Sequence, residues 1–260
     1  GLSRKLPGVD VAYAVGADPR PFLPAAHGPQ WSDTLVTIGE HSFRVNPAAV
    51  RWIGSLPGGL DPADVDGVTL ETTYTPDVEG EHTFAVSGFG TFELSVDGQV
   101  LYQGTLHPAD ASRADLLLSP REQRATVGLA AGEPVQVVLR QTIARGLAHS
   151  ISTTLGHRTP TPDENGMIDE AVRLAAESDV AVVAVGTTEQ VESEGFDRTS
   201  LALPGRQDEL VARVAAANPR TVVVVNAGSP VLMPWADEVA AILLTWFPGQ
   251  EAGAALADVL

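Results

Sequence analysis

The segment Glu192-Ser193-Glu194-Gly195-Phe196-Asp197-Arg198 sets three carboxylates and one arginine within seven residues. It follows residues 179–186 (DVAVVAVG), a continuous apolar run that predicts a strand buried in a parallel sheet, so these charges belong to a loop at a strand's end. Carboxylates there can transfer protons if one of them holds its proton near neutral pH. Neighbouring carboxylates and apolar surface both raise a glutamate pKa in that direction. Gly195 admits loop conformations closed to other residues, which lets an adjacent glutamate project into a cleft. The plainer alternative is a solvated acidic surface, and the segment taken by itself favours it. A second loop, Asn226-Ala227-Gly228-Ser229-Pro230, stands at the carboxyl end of another apolar run. Open α/β sheets place ligands at such ends, although a tight turn is the better reading of this composition.

The elements around these loops have two textures. Residues 9–15 (VDVAYAV) alternate and then meet Gly16, as a strand entering a loop does. From about residue 19 to 159 the chain consists of short alternating segments separated by Gly, Pro and Asp, such as residues 68–74, 82–86, 92–96, 100–102 and 135–141. That spacing predicts an antiparallel β-sandwich. Asp97-Gly98 between two such segments signals a two-residue hairpin, because a type I′ turn needs positive φ at both central positions. After Thr159-Pro160-Thr161-Pro162, a stiff joint, the periodicity becomes α/β: helix over 167–178, strand over 179–186, helix over 210–217, then strands over 221–226 and 239–246. This order predicts a parallel sheet covered on both faces. Residues 9–15 fit the second texture better than the first. The expected fold class is therefore α/β plus all-β: an α/β-sandwich with a mostly parallel sheet, interrupted by an inserted antiparallel β-sandwich. The expected domains are 1–18, the first strand of the α/β domain; 19–159, the insertion; and 160–260, the truncated remainder of the α/β domain.

Composition narrows the partners. The 260 residues carry 33 acidic and 16 basic side chains, a net charge of -17, and the basic residues cluster nowhere. Nucleic acid and anionic membranes are thereby disfavoured, and no apolar run reaches the length of a membrane span. No cysteine is present, which removes disulfides and thiolate chemistry and leaves the compartment open between cytoplasm and secretion. Lys5 is the sole lysine, and alanine and valine abound, a bias that suggests a GC-rich bacterial genome. Gly1 is not a natural start and Leu260 falls inside a helical pattern, so a longer parent chain is expected.

Four motifs occur in order: E-G-F-D-R at residues 194–198, L-P-G-R-Q-x-E-L at 203–210, N-x-G-S-P-V-x-M-P-W at 226–235, and W-F-P-G-Q-E-x-G at 246–253. Together they resemble the second, α/β-sandwich domain of glycoside hydrolase family 3. The resemblance covers about residues 160–260 and, more weakly, 1–18. The middle resembles the protective-antigen-type β-sandwich that some members carry as an insertion, on F-E-L-S-V-D-G-Q-V-L at residues 92–101. The family's β-glucosidases and β-xylosidases act with retention. Their nucleophile is an aspartate on a preceding barrel domain, and their acid/base is a glutamate on the α/β domain. Retention requires two carboxyl groups about 5 to 5.5 Å apart, and the barrel with its aspartate is not in this chain.

The resemblance makes Glu194 the acid/base candidate and Glu192 the second choice, with Asp197 and Arg198 pairing locally or bracing the loop. Leu203-Pro204-Gly205-Arg206-Gln207 resembles a helix entry in which Arg206 can bind a carboxylate. Trp235 and Trp246 can stack on sugar rings, but core placement is the default for them. Protective-antigen-type lectin modules hold calcium with adjacent aspartates; this chain has no Asp-Asp pair and reads Ser87-Gly88-Phe89-Gly90 where related modules read S-D-D-G. Calcium is not expected. Phe89, between two glycines, is a candidate exposed aromatic that could lean over the active-site entrance and select the leaving group, but a hydrophobic plug against the parent domain is the favoured reading. His41, His82, His107, His149 and His157 lack metal-ligand spacing, so no metal and no cofactor is expected. The implied partners are a β-glucoside or oligosaccharide and the barrel of the same polypeptide. The fragment alone is expected to be inactive, supplying the acid/base loop and a sandwich on the aglycone side. A non-catalytic carbohydrate-binding or interaction module is the competing reading, and β-xylosidase or N-acetylglucosaminidase activity the alternative within the enzyme class.

Overall fold

The computed structural model describes residues 5, 8–61, 65–106, 121–143, 150–192 and 198–260. It divides into two compact units, Phe22–Thr161 and a discontinuous one made of Gly1–Pro21 with Pro162–Leu260.

In the first unit the described residues form ten strands: β1 Thr34–Ile38, β2 His41–Val45, β3 Ala49–Ile53, β4 Gly67–Tyr74, β5 Gly80–Gly88, β6 Gly90–Val96, β7 Gln99–Leu106, β8 Arg121–Leu129, β9 Val135–Thr142 and β10 Ser150–Arg158. All pair antiparallel, in a six-stranded sheet of order β2-β1-β4-β9-β6-β7 and a four-stranded sheet of order β3-β10-β5-β8. Strict alternation in β1 and along most of β4 sends every second side chain inward. Val36, Leu70, Leu94 and Leu139 from one sheet meet Val50, Phe84, Val86, Ile151 and Leu155 from the other in a single buried cluster. The turn between β6 and β7 is the two-residue hairpin expected, with Asp97 at φ 46° and Gly98 at φ 78° and Val96 paired to Gln99.

Phe89 corrects the substrate-contacting alternative of the sequence reading. It is 2% exposed, and its carbonyl accepts from Gln141 Nε2 at 2.6 Å. Gln141 also accepts from the Thr153 hydroxyl, so the bend between β5 and β6 is held from within. A ring so buried cannot lean over a substrate.

The same core holds a histidine pair that spacing in the sequence concealed. His82 Nδ1 lies 3.2 Å from His157 Nε2, while His82 Nε2 is 2.9 Å from the Val78 carbonyl. Since a carbonyl only accepts, His82 donates through Nε2 and its Nδ1 accepts from His157. Trp31, Tyr74 and Phe84 pack around the two rings. Burial, and then repulsion from His82, push the His157 imidazole down to about 4, against a smaller opposing pull from Asp77. The folded state thus favours neutral His157, and stability is complete above the unfolded value of 6.5 and is lost as pH falls from there toward about 4. The expected loss is roughly 3 kcal/mol. Thermal denaturation between pH 7 and 4 measures it, and His157→Phe should flatten that dependence; an equal slope in both proteins would contradict the assignment.

The second unit carries α1 Glu164–Ala176, β11 Ala181–Gly186, α2 Gln207–Ala217, β12 Thr221–Asn226, β13 Ala241–Leu244 and α3 Ala252–Val259. The sheet order is β11-β12-β13, all parallel. Asp163 caps α1 by accepting from the Gly166 N–H at 2.8 Å. Val183, Val185, Val223 and Val225 pack against Ile168, Leu210, Val211 and Val214 in one core. The predicted double coverage is not observed among the described residues. β11 alternates buried and exposed, and Val182 on the face away from the helices is 41% exposed. Residues 9–15 are a further correction: they form no strand, and Val9, Val11, Tyr13 and Val15 are exposed. A strand needs a partner ladder, and the described parallel strands pair only with one another. This segment contacts the core at its end instead, where Ala17 packs against the second cluster. No helix among the described residues is long and apolar enough to cross a membrane.

Candidate functional site

Parallel pairing brings the carboxyl ends of β11 and β12 side by side, with Gly186 opposite Asn226. The next residue continues the register, as Thr187 N donates to the Asn226 carbonyl at 3.0 Å. The chain then turns, the N–H groups of Val191 and Glu192 both donating to the Thr188 carbonyl at 2.9 Å. This turn directs Glu192 back toward β12. Its Oε2 accepts from Thr187 Oγ1 at 2.6 Å and from Gly228 N at 3.2 Å. The Ser229 and Thr187 hydroxyls, then the Gly228 amide and the positive charge of Arg198, hold this carboxyl below the ordinary glutamate range, against the opposing effect of burial. These bonds make Glu192 an anchor between the two strand ends. Glu194, with Ser193, Gly195, Phe196 and Asp197, lies outside the described residues.

Arg198 stands at the other end of that segment. Nη1 donates to Ser229 Oγ at 2.9 Å and to the Pro230 carbonyl at 3.1 Å, and Nη2 to the Ala202 carbonyl at 3.3 Å. Residues 203–207 do form a helix entry. Arg206 pairs with Glu209 through Nε and Nη2 at 2.8 and 2.6 Å and donates to Asn165 at 2.7 Å. Gln207, 2% exposed, clamps the end of β11: Oε1 accepts from Gly186 N at 2.7 Å, and Nε2 donates to the carbonyls of Gly186 and Pro204 at 2.8 and 2.9 Å. Sequence reasoning passed over Gln207. A polar residue directly after L-P-G-R, at the first position of an apolar helix, was its signal.

The two tryptophans divide. Trp235 is 1% exposed and donates through Nε1 to Asp208 at 2.8 Å, a core role. Trp246, expected in the core, is 57% exposed, because β13 ends at Leu244 and the backbone turns through φ 56° at Trp246. Phe247 follows it and lies beside the Gly228 loop: a Cβ on residue 228 would fall 2.6 Å from Phe247 Cε2 and 3.0 Å from Glu192 Oε1. Arg198, Glu192 and Phe247 therefore meet around the loop at 228–230.

Residues 74–260 match the model of the glycosyl hydrolase family 3 C-terminal domain. The chain belongs to this family. Among curated family relatives, "Beta-glucosidase B" of Emericella nidulans is 44% identical over 201 residues, covering 74% of this chain and 24% of the relative. A "Beta-glucosidase" of Rhizobium radiobacter is 36% identical over 222 residues, covering 85% of this chain and 27% of its own length. Fungal and bacterial relatives both occur, so composition does not fix the source. The crystal structure of the Kluyveromyces marxianus β-glucosidase in complex with glucose superposes with a TM-score of 0.86 at 25% identity, over 99% of this chain and 34% of that one. The chain thus spans about a quarter of the length of the curated family 3 relatives it matches.

Proposed function

We propose that this chain is part of a retaining exo-β-glycosidase, a β-glucosidase that hydrolyses terminal β-D-glucosides without a cofactor. The observation that carries the reading is the likeness in fold to a glucose-bound β-glucosidase along nearly the whole chain. Glu194, in E-G-F-D-R, is the acid/base: it protonates the glycosidic oxygen as the first bond breaks and then activates the water that hydrolyses the glycosyl-enzyme. The nucleophilic aspartate belongs to a barrel of the same polypeptide outside these residues, so the fragment alone is inactive. Residues 22–161 are an inserted β-sandwich of the protective-antigen type. Two antiparallel sheets sharing one core support this, as does a discontinuous α/β unit that the chain leaves at residue 21 and re-enters at 162.

Proton NMR of an aryl β-glucoside digested by the full-length enzyme tests the reaction class. Retention delivers β-glucose first, with the α-anomer rising later by mutarotation. First appearance of the α-anomer, or no hydrolysis, would reject the proposal.

A further inference from the structure

We propose that Glu192 and Arg198 are positioning residues, which pin both ends of the chain between them to the single loop at residues 228–230 and so set where the acid/base stands. The inference rests on the hydrolase reading above. At one end Glu192 accepts from Gly228 N; at the other Arg198 reaches Ser229 Oγ and the Pro230 carbonyl. Three consecutive residues thus receive both anchors. The Thr187 hydroxyl ties Glu192 also to the end of β11, so the first anchor joins the two strand ends as well. Ser229 links the anchors, since its hydroxyl accepts from Arg198 and is also the leading influence lowering the Glu192 pKa.

A charged anchor suits this task. Hydrogen bonds to an ionised acceptor are about twice as strong as neutral ones, and their geometry is correspondingly narrower. Glycine at 228 is required by the same arrangement, because a side chain there would press on both the Glu192 carboxylate and the Phe247 ring. Fixing both ends of a five-residue segment removes conformations that a free segment would sample. An acid must come within about 2.6 to 3.2 Å of the oxygen it protonates, so the placement of the segment enters the rate directly.

The test compares two substrates of the full-length enzyme that differ in their need for an acid: methyl β-glucoside, whose leaving oxygen must be protonated, and 2,4-dinitrophenyl β-glucoside, whose leaving group departs unaided. Glu192→Gln and Thr187→Val should each lower kcat/KM for the methyl glucoside by about 10-fold or more and leave the dinitrophenyl substrate within about 3-fold. The double variant should be no worse than Glu192→Gln alone, as expected of two residues in one contact. Equal losses on both substrates, or no loss on either, would overturn the proposal. Thr187→Val carries the test if Glu192→Gln does not fold. Glu194→Gln in the same assay separates the two levels. If it spares the methyl glucoside, the acid/base reading fails and this inference with it; if it alone shows the selective loss, only the positioning role is overturned.

Discussion

Replacing Glu194 by glutamine in the full-length enzyme lowers kcat/KM for poorly activated β-glucosides by about 10²- to 10⁴-fold, the usual worth of a placed general acid. The loss depends on the leaving group. A 2,4-dinitrophenolate departs without protonation, so with that substrate glycosylation continues and the glycosyl-enzyme accumulates, waiting for a base to activate water. Azide needs no such base, so adding it accelerates turnover of the variant and yields β-glucosyl azide, the product of a second inversion at the same carbon. Steady-state rates with and without azide, together with the anomeric configuration of the azide product, check this. Unaltered turnover of the methyl glucoside by Glu194→Gln would remove Glu194 from the chemistry.

The second large effect concerns stability. Phe84→Ala should destabilise the β-rich unit by about 3 to 5 kcal/mol, the range for emptying a fully enclosed aromatic site. Phe84 has no exposure, and its ring centroid lies 4.9 Å from that of His157 and 6.3 Å from those of Trp31 and Tyr74. These partners come from distant segments and cannot all follow a missing ring, so a cavity remains. Chemical denaturation read through tryptophan fluorescence measures the change, since Trp31 is part of the cluster. A shift below about 1 kcal/mol would mean that the two sheets do not depend on this core.

Much of this architecture is written locally. Period-two alternation over residues 68–74 specifies β4, and the helix and strand patterns after residue 162 recover α1, β11, α2 and β12 to within a few residues. Asp97-Gly98 specifies its own turn, because few other pairs tolerate positive φ twice. The failures share one cause, which is that exposure belongs to neighbours distant in sequence. Residues 9–15 alternate as a strand would, yet no described ladder receives them. Phe89 looks free between glycines, but Gln141, 52 residues on, holds its carbonyl as the ring sinks inward. Trp246 looks like core, but the sheet stops before reaching it.

The candidate site divides along the same line. Its family and its motif E-G-F-D-R are matters of residue identity and order, which a sequence carries complete. The functions of the individual carboxylates are not, because a glutamate becomes acid, base or anchor through the charges and donors around it. Glu192 and Glu194 are two residues apart and of one type. Only the parallel pairing of β11 with β12 sets Gly228 and Ser229 beside Glu192, 36 and 37 residues away in the chain, and makes of it an anchor.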